Sequence, residues 1–325
     1  MIISQTPLRV SFCGGGTDQK EYWEDYGGAV ISTTINKNIF IIVKDRMDNE
    51  IWLKYSENEI AKKVDEIKNT RWKECMKMTG IIKGVEIACL SDIPKGSGLG
   101  GSSSFAVGSL NALHTLDGRH KSAKELAEEA ARIEIDILKE PIGLQDQYAT
   151  AYGGLNLIEF QRDGNVLVNP IIISNKLREN LFSNLLLFST GATRDANSVL
   201  TEQKAKTKSK AETLHKMKEF TYSSRDALYS SDLRSFGELL HKNWEYKKEM
   251  ASNVSNSFID GYYNLAKKSG AVGGKICGAG AGGFLLFYVE PENQDRVRTA
   301  LRELKEVPIG FESSGSKIIY IGEKE

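Results

Sequence analysis

Hydrophobic and polar positions follow two different spacings in the first half of the chain. Up to residue 90, short β-branched runs alternate with glycines and polar turns, a pattern that predicts strands. These runs are VSF near residue 10, AVISTTI (29–35), NIFIIVKD (38–45), IWLKYS (51–56) and the segment 85–90. The polar segment 57–79 predicts a helix that ends before Gly80. This part of the chain therefore predicts a β-rich unit that contains one helix.

After residue 101 the apolar spacing becomes helical. Ala106, Leu110 and Leu113 recur at i, i+4 and i+7, which places them on one face of a helix. A second helix begins at Ser122, where a glutamate three positions later completes a capping box, and it must end before Pro141. Two helices thus follow the β-rich unit without a strand between them.

The rest of the chain mixes both patterns. Strands are predicted at 156–160, 166–173, 185–190, 284–289 and 317–322. Helices are predicted at about 195–229, 232–250, 258–268 and 292–304, and a glycine loop at 273–283. This mixed order, with antiparallel hairpins, predicts an α+β protein with two domains, 1–180 and 181–325.

The composition narrows the possible functions. Of 325 residues, 43 are basic and 43 are acidic, so no net charge attracts the chain to nucleic acid or to a membrane. No apolar run reaches the length of a membrane span, and the start lacks the pattern of a secretory signal. The four cysteines and four histidines show no metal-ligand spacing. We expect a soluble, cytoplasmic protein that binds neither nucleic acid nor membrane.

The most informative segment is PKGSGLGGSSSF (94–105), just where the helical spacing begins. Glycines let successive N–H groups turn toward one point, and the start of a helix adds the positive end of its dipole. Serine hydroxyls can donate to phosphate oxygens or bind Mg²⁺. The segment predicts a phosphate-binding loop; the alternative is a serine-rich helix cap after a flexible turn.

Two segments match the glycine spacing of dinucleotide-binding loops, Gly96 to Gly101 and Gly278 to Gly283. That function requires a strand before the loop, a helix after it, and a further strand that presents an acidic residue. The first segment leads into helices alone, and the second leads from a helix into a strand. The order of the predicted helices and strands therefore argues against an NAD-binding oxidoreductase.

Glu134 and Asp146 are candidate carboxylates for chemistry, the first late in a helix and the second in a turn-like stretch. Phosphoryl transfer needs one carboxylate that faces Mg²⁺ and one that faces the attacking hydroxyl, although two solvated charges would give the same pattern. Glycine-rich clusters at 13–18 and 273–283 lie beside further strands. Three such clusters indicate backbone crowding around a single ligand site.

Together these segments resemble the GHMP kinases, named for galactokinase, homoserine kinase, mevalonate kinase and phosphomevalonate kinase. The matching motifs are TPLRVSFCGGGTD (6–18), PKGSGLGGSS (94–103) and KICGAGAGG (275–283), and the resemblance covers almost the whole chain. It implies a two-domain fold, with an N-terminal domain like domain 2 of ribosomal protein S5 and a ferredoxin-like C-terminal domain. It also implies ATP and Mg²⁺ as cofactors, with ATP and the substrate between the domains.

The resemblance assigns roles to individual residues. Positions that match the nucleotide-binding loop are Gly96, Ser97, Gly98, Leu99, Gly100, Gly101, Ser102 and Ser103. Many relatives have a hydroxyl residue where this chain has Gly101. By the same analogy, Ser102 and Glu134 hold Mg²⁺, Asp146 is the catalytic carboxylate, and Arg9 is the basic residue beside it. Positions expected to bind substrate are Gly15, Gly16, Thr17, Asp18, Arg194, Gly278 and Gly280.

Within the family, three segments resemble the D-glycero-D-manno-heptose 7-phosphate kinases: 14–18, 145–148 and 189–194. The substrate is then a small sugar phosphate, whose phosphate would be bound by Arg194. A kinase of an unphosphorylated sugar, of the fucokinase or galactokinase type, is one alternative, and a non-catalytic sugar sensor on the same fold is another. A homodimer is also left open.

Overall fold

The computed structural model describes residues 1–191 and 196–322. Its strands are β1 (Ile2–Cys13), β2 (Gly28–Asp45), β3 (Ile51–Lys54), β4 (Asn58–Ala61), β5 (Val85–Ser91), β6 (Leu155–Phe160), β7 (Val166–Pro170), β8 (Leu185–Ser189), β9 (Gly273–Ile276), β10 (Phe284–Tyr288), β11 (Lys305–Glu306) and β12 (Lys317–Ile321). Its α-helices are α1 (Lys20–Tyr26), α2 (Thr70–Thr79), α3 (Gly101–Leu116), α4 (Ala123–Ala131), α5 (Gln145–Tyr152), α6 (Asn175–Ser183), α7 (Ala196–Lys206), α8 (Ala211–Tyr229), α9 (Leu233–Lys248), α10 (Ser257–Lys268) and α11 (Gln294–Ala300). Short 3₁₀ turns occupy Val64–Glu66, Lys208–Lys210 and Pro291–Asn293, and a π-helical turn, Arg132–Ile137, follows α4.

The long strand β2 organises the first sheet, because it pairs with β1, β5 and β6. The strand order is β12-β1-β2-β5-β3-β4, and β6 and β7 extend from β2. The two strands expected at 29–35 and 38–45 are one continuous strand. The register against β1 shifts between Pro7 and Leu8, where Pro7 faces Asn38 and Leu8 faces Ile35. This bulge accommodates the two polar residues that interrupted the apolar pattern.

The second sheet has the strand order β11-β8-β10-β9, with antiparallel neighbours. In chain order its elements run β8, helices, β9, β10, α11 and β11, which is the β-α-β-β-α-β arrangement of ferredoxin-like domains. The strand expected at 185–190 is buried, as its unbroken apolar run predicted. Helix α3 packs on the first sheet through β1 and β2, and the loop that precedes it contacts the glycine loop between β9 and β10.

Local predictions differ from the structure at 57–79 and 273–283, and one helix was not predicted. The expected helix at 57–79 is instead β4, a 3₁₀ turn and α2, because 58–61 pairs with β3 and Asn69 caps α2 by accepting a hydrogen bond from the Trp72 N–H. Residues 175–183, for which no element was predicted, form α6, which Ser174 caps. The glycine loop at 273–283 begins with strand β9. Pairing with the adjacent strand explains both differing predictions, because β3 with β4 and β9 with β10 form antiparallel pairs.

The last strand returns to the first sheet. β12 pairs with β1, and Phe311 forms a bridge with Ile35, so the end of the described chain belongs to the N-terminal sheet. The division into domains 1–180 and 181–325 stays a prediction. In the structure, part of the second segment pairs with the first sheet. Among the described helices, none combines the length and apolar character that crossing a bilayer requires.

Candidate active site

Arg9 and Asp146 form the centre of the candidate site. Arg9 lies in β1, and Asp146 lies in the first turn of α5. The guanidinium donates from Nε to Asp146 Oδ1 and from Nη2 to Oδ2, both at 2.7 Å. The third arm, Nη1, donates to the carbonyl of Gly98 at 2.8 Å. A bidentate pair of this kind, between the buried Arg9 and the half-buried Asp146, fixes the carboxylate in one orientation, and Arg9 also connects it to the glycine loop.

Asp18 is the second carboxylate of the site and is buried. Its Oδ1 accepts from the Gly16 N–H at 2.8 Å, and its Oδ2 accepts from Gln145 Nε2 at 3.0 Å. Burial raises the pKa of this carboxyl above its usual range, and the charge of Asp146 adds to the rise. A Cβ on Gly143 would lie 2.1 Å from Asp18 Oδ2, so only glycine permits this close approach.

The predicted phosphate loop has backbone conformations that favour glycine. Gly96, Gly98 and Gly100 all have positive φ, between 75° and 79°. Gly100 occupies the N-cap position of α3 and provides no side-chain cap, so the first N–H groups of the helix are left for a ligand. Leu99 is buried in the core and can face a ligand only with its backbone, whereas Ser102 is exposed.

The C-terminal glycine loop packs directly on the phosphate loop. A Cβ on Gly98 would lie 2.4 Å from the Cys277 carbonyl oxygen, and one on Gly278 would lie 2.6 Å from Gly98 Cα. A Cβ on Gly283 would lie 2.5 Å from the Ser97 carbonyl oxygen. We call this contact, made by Ser97, Gly98, Cys277, Gly278 and Gly283, the glycine seam. Backbone crowding therefore accounts for glycines in two of the three clusters, and a single ligand site shared by all three stays a prediction.

Glu134 lies in the π-helical turn, a local irregularity that is frequent at functional positions. It is fully buried and accepts at Oε2 from Ser103 Oγ and Gln147 Nε2, each at 2.7 Å. Its Oε1 accepts from Arg71 Nε at 3.1 Å, and Arg71 also contacts Glu140. We call these five residues the Glu134 cluster. The serine bonded to Glu134 is thus Ser103, while Ser102 was the predicted metal ligand.

The cluster fits Mg²⁺ by the type of its donors, since this cation prefers oxygen. The buried Oε1 of Gln147 has no hydrogen-bond partner among the described residues and is available to a cation. In the described chain, no group of three or more His, Cys, Asp or Glu side chains could hold a metal ion. A cation at Glu134 would therefore need serine, amide or nucleotide oxygens as well.

Two lysines that the sequence analysis did not select also belong to the site. Lys275 is buried and donates to the Ser11 carbonyl at 2.6 Å, which holds β9 against β1. Lys247, in α9, is buried and donates to the Gly278 carbonyl at 2.7 Å. Burial, together with the charge of Lys275, lowers the pKa of Lys247 to about 7. The sequence offered one signal: Lys247 lies on the buried stripe of α9 with Phe236 and Leu240.

One cavity collects most of these side chains, and we call it the acceptor cavity. It is lined by Arg9, Ser11, Gly15, Gly16, Asp18, Gln19, Ile142, Gly143, Gln145, Asp146, Leu200, Gln203, Lys247, Lys275, Gly278 and Ala279. Thr17 lies outside this lining; its hydroxyl donates to the carbonyls of Gly14 and Ala29 and braces the turn. Gly280 packs against Val254. Arg194 lies outside the described residues.

Known protein families that match this chain include the one that the sequence motifs resemble. The model of the GHMP kinase N-terminal domain matches residues 53–154, and that of the GHMP kinase C-terminal domain matches 224–308. The chain therefore belongs to the GHMP kinases. It is an ATP-dependent phosphotransferase with an alcohol group as acceptor.

The similarities to individual proteins are more specific. The chain is 34% identical, over 93% of both chains, to D-glycero-alpha-D-manno-heptose 7-phosphate kinase of Campylobacter jejuni. It is similar to the crystal structure of a D-glycero-D-manno-heptose 1-phosphate kinase from Bacteroides thetaiotaomicron, with a TM-score of 0.84 and 26% identity over 99% of this chain and 100% of that one. It is also 26% identical to the L-fucokinase/L-fucose-1-P guanylyltransferase of Bacteroides fragilis, over 93% of this chain and 36% of that one.

Proposed function

We propose that this protein transfers the γ-phosphoryl group of ATP to the anomeric hydroxyl of D-glycero-D-manno-heptose 7-phosphate. The observation that carries the proposal is the acceptor cavity, in which Asp146, fixed by Arg9, and Asp18 lie together. The similarity to two heptose kinases supports the choice of sugar. The product, a heptose 1,7-bisphosphate, is suited to later conversion into a nucleotide-activated sugar.

In the proposed reaction, Asp146 accepts the proton of the anomeric hydroxyl while the anomeric oxygen of the sugar attacks the γ-phosphorus. The new O–P bond forms as the bond between the γ-phosphorus and the bridging oxygen breaks, and ADP leaves. Arg9 orients Asp146, and Asp18 accepts hydrogen bonds from other sugar hydroxyls. Positioning and charge neutralisation supply most of the rate in such transfers.

On the nucleotide side, we propose that the backbone of Gly96 to Ser103 surrounds the phosphates. The positive φ values of this loop and the uncapped start of α3 support that role. Glu134 and Ser102 would hold Mg²⁺, with Ser103 close enough to take part. The cation would neutralise charge that develops on the phosphates.

The test is ATP consumption across a panel of hexoses, heptoses and their phosphates, with the product identified by ³¹P NMR. We expect turnover to be highest with the heptose 7-phosphate and the new phosphate to be on the anomeric oxygen. A preference for an unphosphorylated sugar would instead indicate a kinase of the fucokinase or galactokinase type. Sugar binding without ATP consumption would indicate a sensor.

Arg194 remains the sequence-based candidate for binding the phosphate of the sugar. A charge-assisted contact of this kind contributes roughly 1.5–3 kcal/mol, or about one to two decades in affinity. Arg194→Ala should therefore lower kcat/KM for the sugar phosphate by that factor and change much less with the same sugar lacking its phosphate. Equal losses with both acceptors would contradict the assignment.

A further inference from the structure

The charges that line the acceptor cavity are incompletely compensated. Arg9 and Asp146 neutralise each other through two hydrogen bonds. Among the described residues, the remaining ionisable side chains of the lining are the cations Lys247 and Lys275 and one carboxylate, Asp18. A buried charge without a partner is unfavourable, so the cavity as described favours an additional negative charge.

Lys275 and Lys247 differ in the number of hydrogen bonds that their ammonium groups donate. Lys275 donates to two carbonyls, those of Ser11 and Phe12. Lys247 donates to the Gly278 carbonyl, and its protonated amine has three N–H donors. Among the described residues, this is the hydrogen bond that the structure gives Lys247, so two of its donors remain for a ligand.

Polar atoms around Lys247 also lack partners. Ser11 is more than nine-tenths buried, yet its Oγ has no hydrogen-bond partner within the described residues, and the same holds for Gln145 Oε1. Both residues line the cavity. A Cβ on Gly15 would lie 3.8 Å from both Lys247 Nζ and Gln145 Nε2, so this glycine leaves the space between them open. Buried polar groups are normally satisfied, so these two atoms are available to hydrogen-bond a ligand.

We propose that Lys247 is a specificity-determining residue of the acceptor cavity and that its ammonium group binds the phosphate carried by the acceptor sugar. This inference rests on the proposed function, in which the acceptor sugar carries a phosphate group in addition to the phosphates of ATP. The lowered pKa of Lys247 agrees with a lysine that gains its full charge only when an anion arrives. Lys247 lies in α9, a described element, and the inference does not depend on Arg194.

The test compares Lys247→Met with a matched control, Lys248→Met. Lys248 is the next residue of α9 and pairs with Glu245 at 2.9 Å on the helix surface. Steady-state rates are measured with heptose 7-phosphate and with the same heptose lacking its phosphate. We expect Lys247→Met to lower kcat/KM for the phosphorylated acceptor about 10- to 100-fold, mainly through KM. We expect less than about a threefold change with the other acceptor, and no change in Lys248→Met.

Equal losses with both acceptors would overturn the role of Lys247 and leave the proposed function intact. A wild-type enzyme that prefers the unphosphorylated sugar would overturn the proposed function itself. Calorimetric titration of heptose 7-phosphate without ATP provides a second measurement that needs no turnover, and an unchanged affinity in Lys247→Met would also overturn the inference. Thermal unfolding shows whether the variant is folded; because methionine removes a buried charge, we expect its midpoint at pH 7 to be no lower than that of the wild type.

Discussion

Two neighbouring residues of α5 face two regions with opposite electrostatic character. Asp146 lines the acceptor cavity, and Gln147 donates to Glu134 in the Glu134 cluster. The cavity contains unpaired polar atoms and a lysine whose charge is only partly compensated. In the Glu134 cluster, the buried carboxylate already accepts hydrogen bonds from three side chains, including the cationic Arg71.

The difference shows how each region would receive its ligand. The acceptor cavity needs an anion and hydroxyl groups to complete its hydrogen bonds, so binding adds contacts without breaking any. The Glu134 cluster offers a cation one unpartnered oxygen, Gln147 Oε1, but a cation bound at the Glu134 carboxylate would compete with the three donors that already contact it. Arg71 is suited to this exchange, because it already contacts Glu140 and would keep that partner.

The largest expected effect is on the acceptor side. Asp146→Asn removes the proton acceptor, and loss of one general base typically lowers the rate about 10²–10⁴-fold. We expect kcat to fall in this range while the affinity for ADP, measured by calorimetry, stays close to that of the wild type. A variant that keeps wild-type kcat would contradict the role of Asp146. A parallel loss of ADP affinity would show that the two regions do not act separately.

The next effect concerns the Glu134 cluster. Glu134→Gln removes the charge of a proposed oxygen ligand, so the Mg²⁺ concentration for half-maximal rate should rise on the order of tenfold or more. Ser102→Ala and Ser103→Ala should each raise it less, and comparing them shows which hydroxyl serves the cation. Unchanged Mg²⁺ dependence in both Glu134→Gln and Ser102→Ala would mean that the metal is held elsewhere.

A smaller effect should appear in the pH dependence of the acceptor KM. With its pKa at about 7, Lys247 loses its charge as the pH rises from 7 to 8.5, whereas the sugar phosphate is already a dianion there. We expect KM for the phosphorylated acceptor to rise about tenfold over this range. Because arginine stays protonated, Lys247→Arg should abolish the rise.

The other ionisable groups that act on Lys247 are Lys275, Asp18, Arg9 and Cys277. All four are unchanged in Lys247→Arg, so a rise that persists in this variant would assign the titration to one of them. In that case the pH profile would no longer support an incompletely charged lysine in the cavity.

The smallest effect should come from Gly101, at the start of α3. A Cβ there would meet only Leu8 Cδ2, at an ordinary 4.0 Å. Gly101→Ala should therefore raise the free energy of unfolding by about 0.4–1 kcal/mol, through the less flexible unfolded chain. Gly98→Ala is the matched contrast, since positive φ and the nearby Cys277 carbonyl should make it strongly destabilising. Equal behaviour of the two variants in urea unfolding would contradict the glycine seam.

Sequence patterns predicted what depends on local spacing. The capping box at Ser122 and the buried strand at 185–190 are confirmed because neighbouring residues determine them. β4 was missed because two of its four residues, NEIA, are polar, and only its pairing with β3 across a three-residue turn makes it a strand. The same limit applies to the single strand β2, whose bulge depends on the register against β1.

In the candidate site, too, residues within sequence motifs could be predicted, whereas residues that only the fold brings there could not. Arg9, Asp18 and Asp146 were found because they lie in motifs, and the structure brings all three to one cavity. Arg71 comes from a helix outside every motif, and only the fold places it beside Glu134. Lys247 belongs to a stretch rich in lysine, where exposure to solvent is the ordinary expectation.

The glycine seam and strand β12 have a consequence for how the protein is made. Domains generally fold in order as a chain leaves the ribosome, N-terminal first. Here the phosphate loop gains its packing partner only after Gly283 has been synthesised, and β1 gains its neighbour β12 later still. Nascent and prematurely terminated chains would therefore expose an open sheet edge and an unsupported loop, which are the features that chaperones and proteases recognise. Competence to bind ATP would thus arise only after Gly283 has been synthesised.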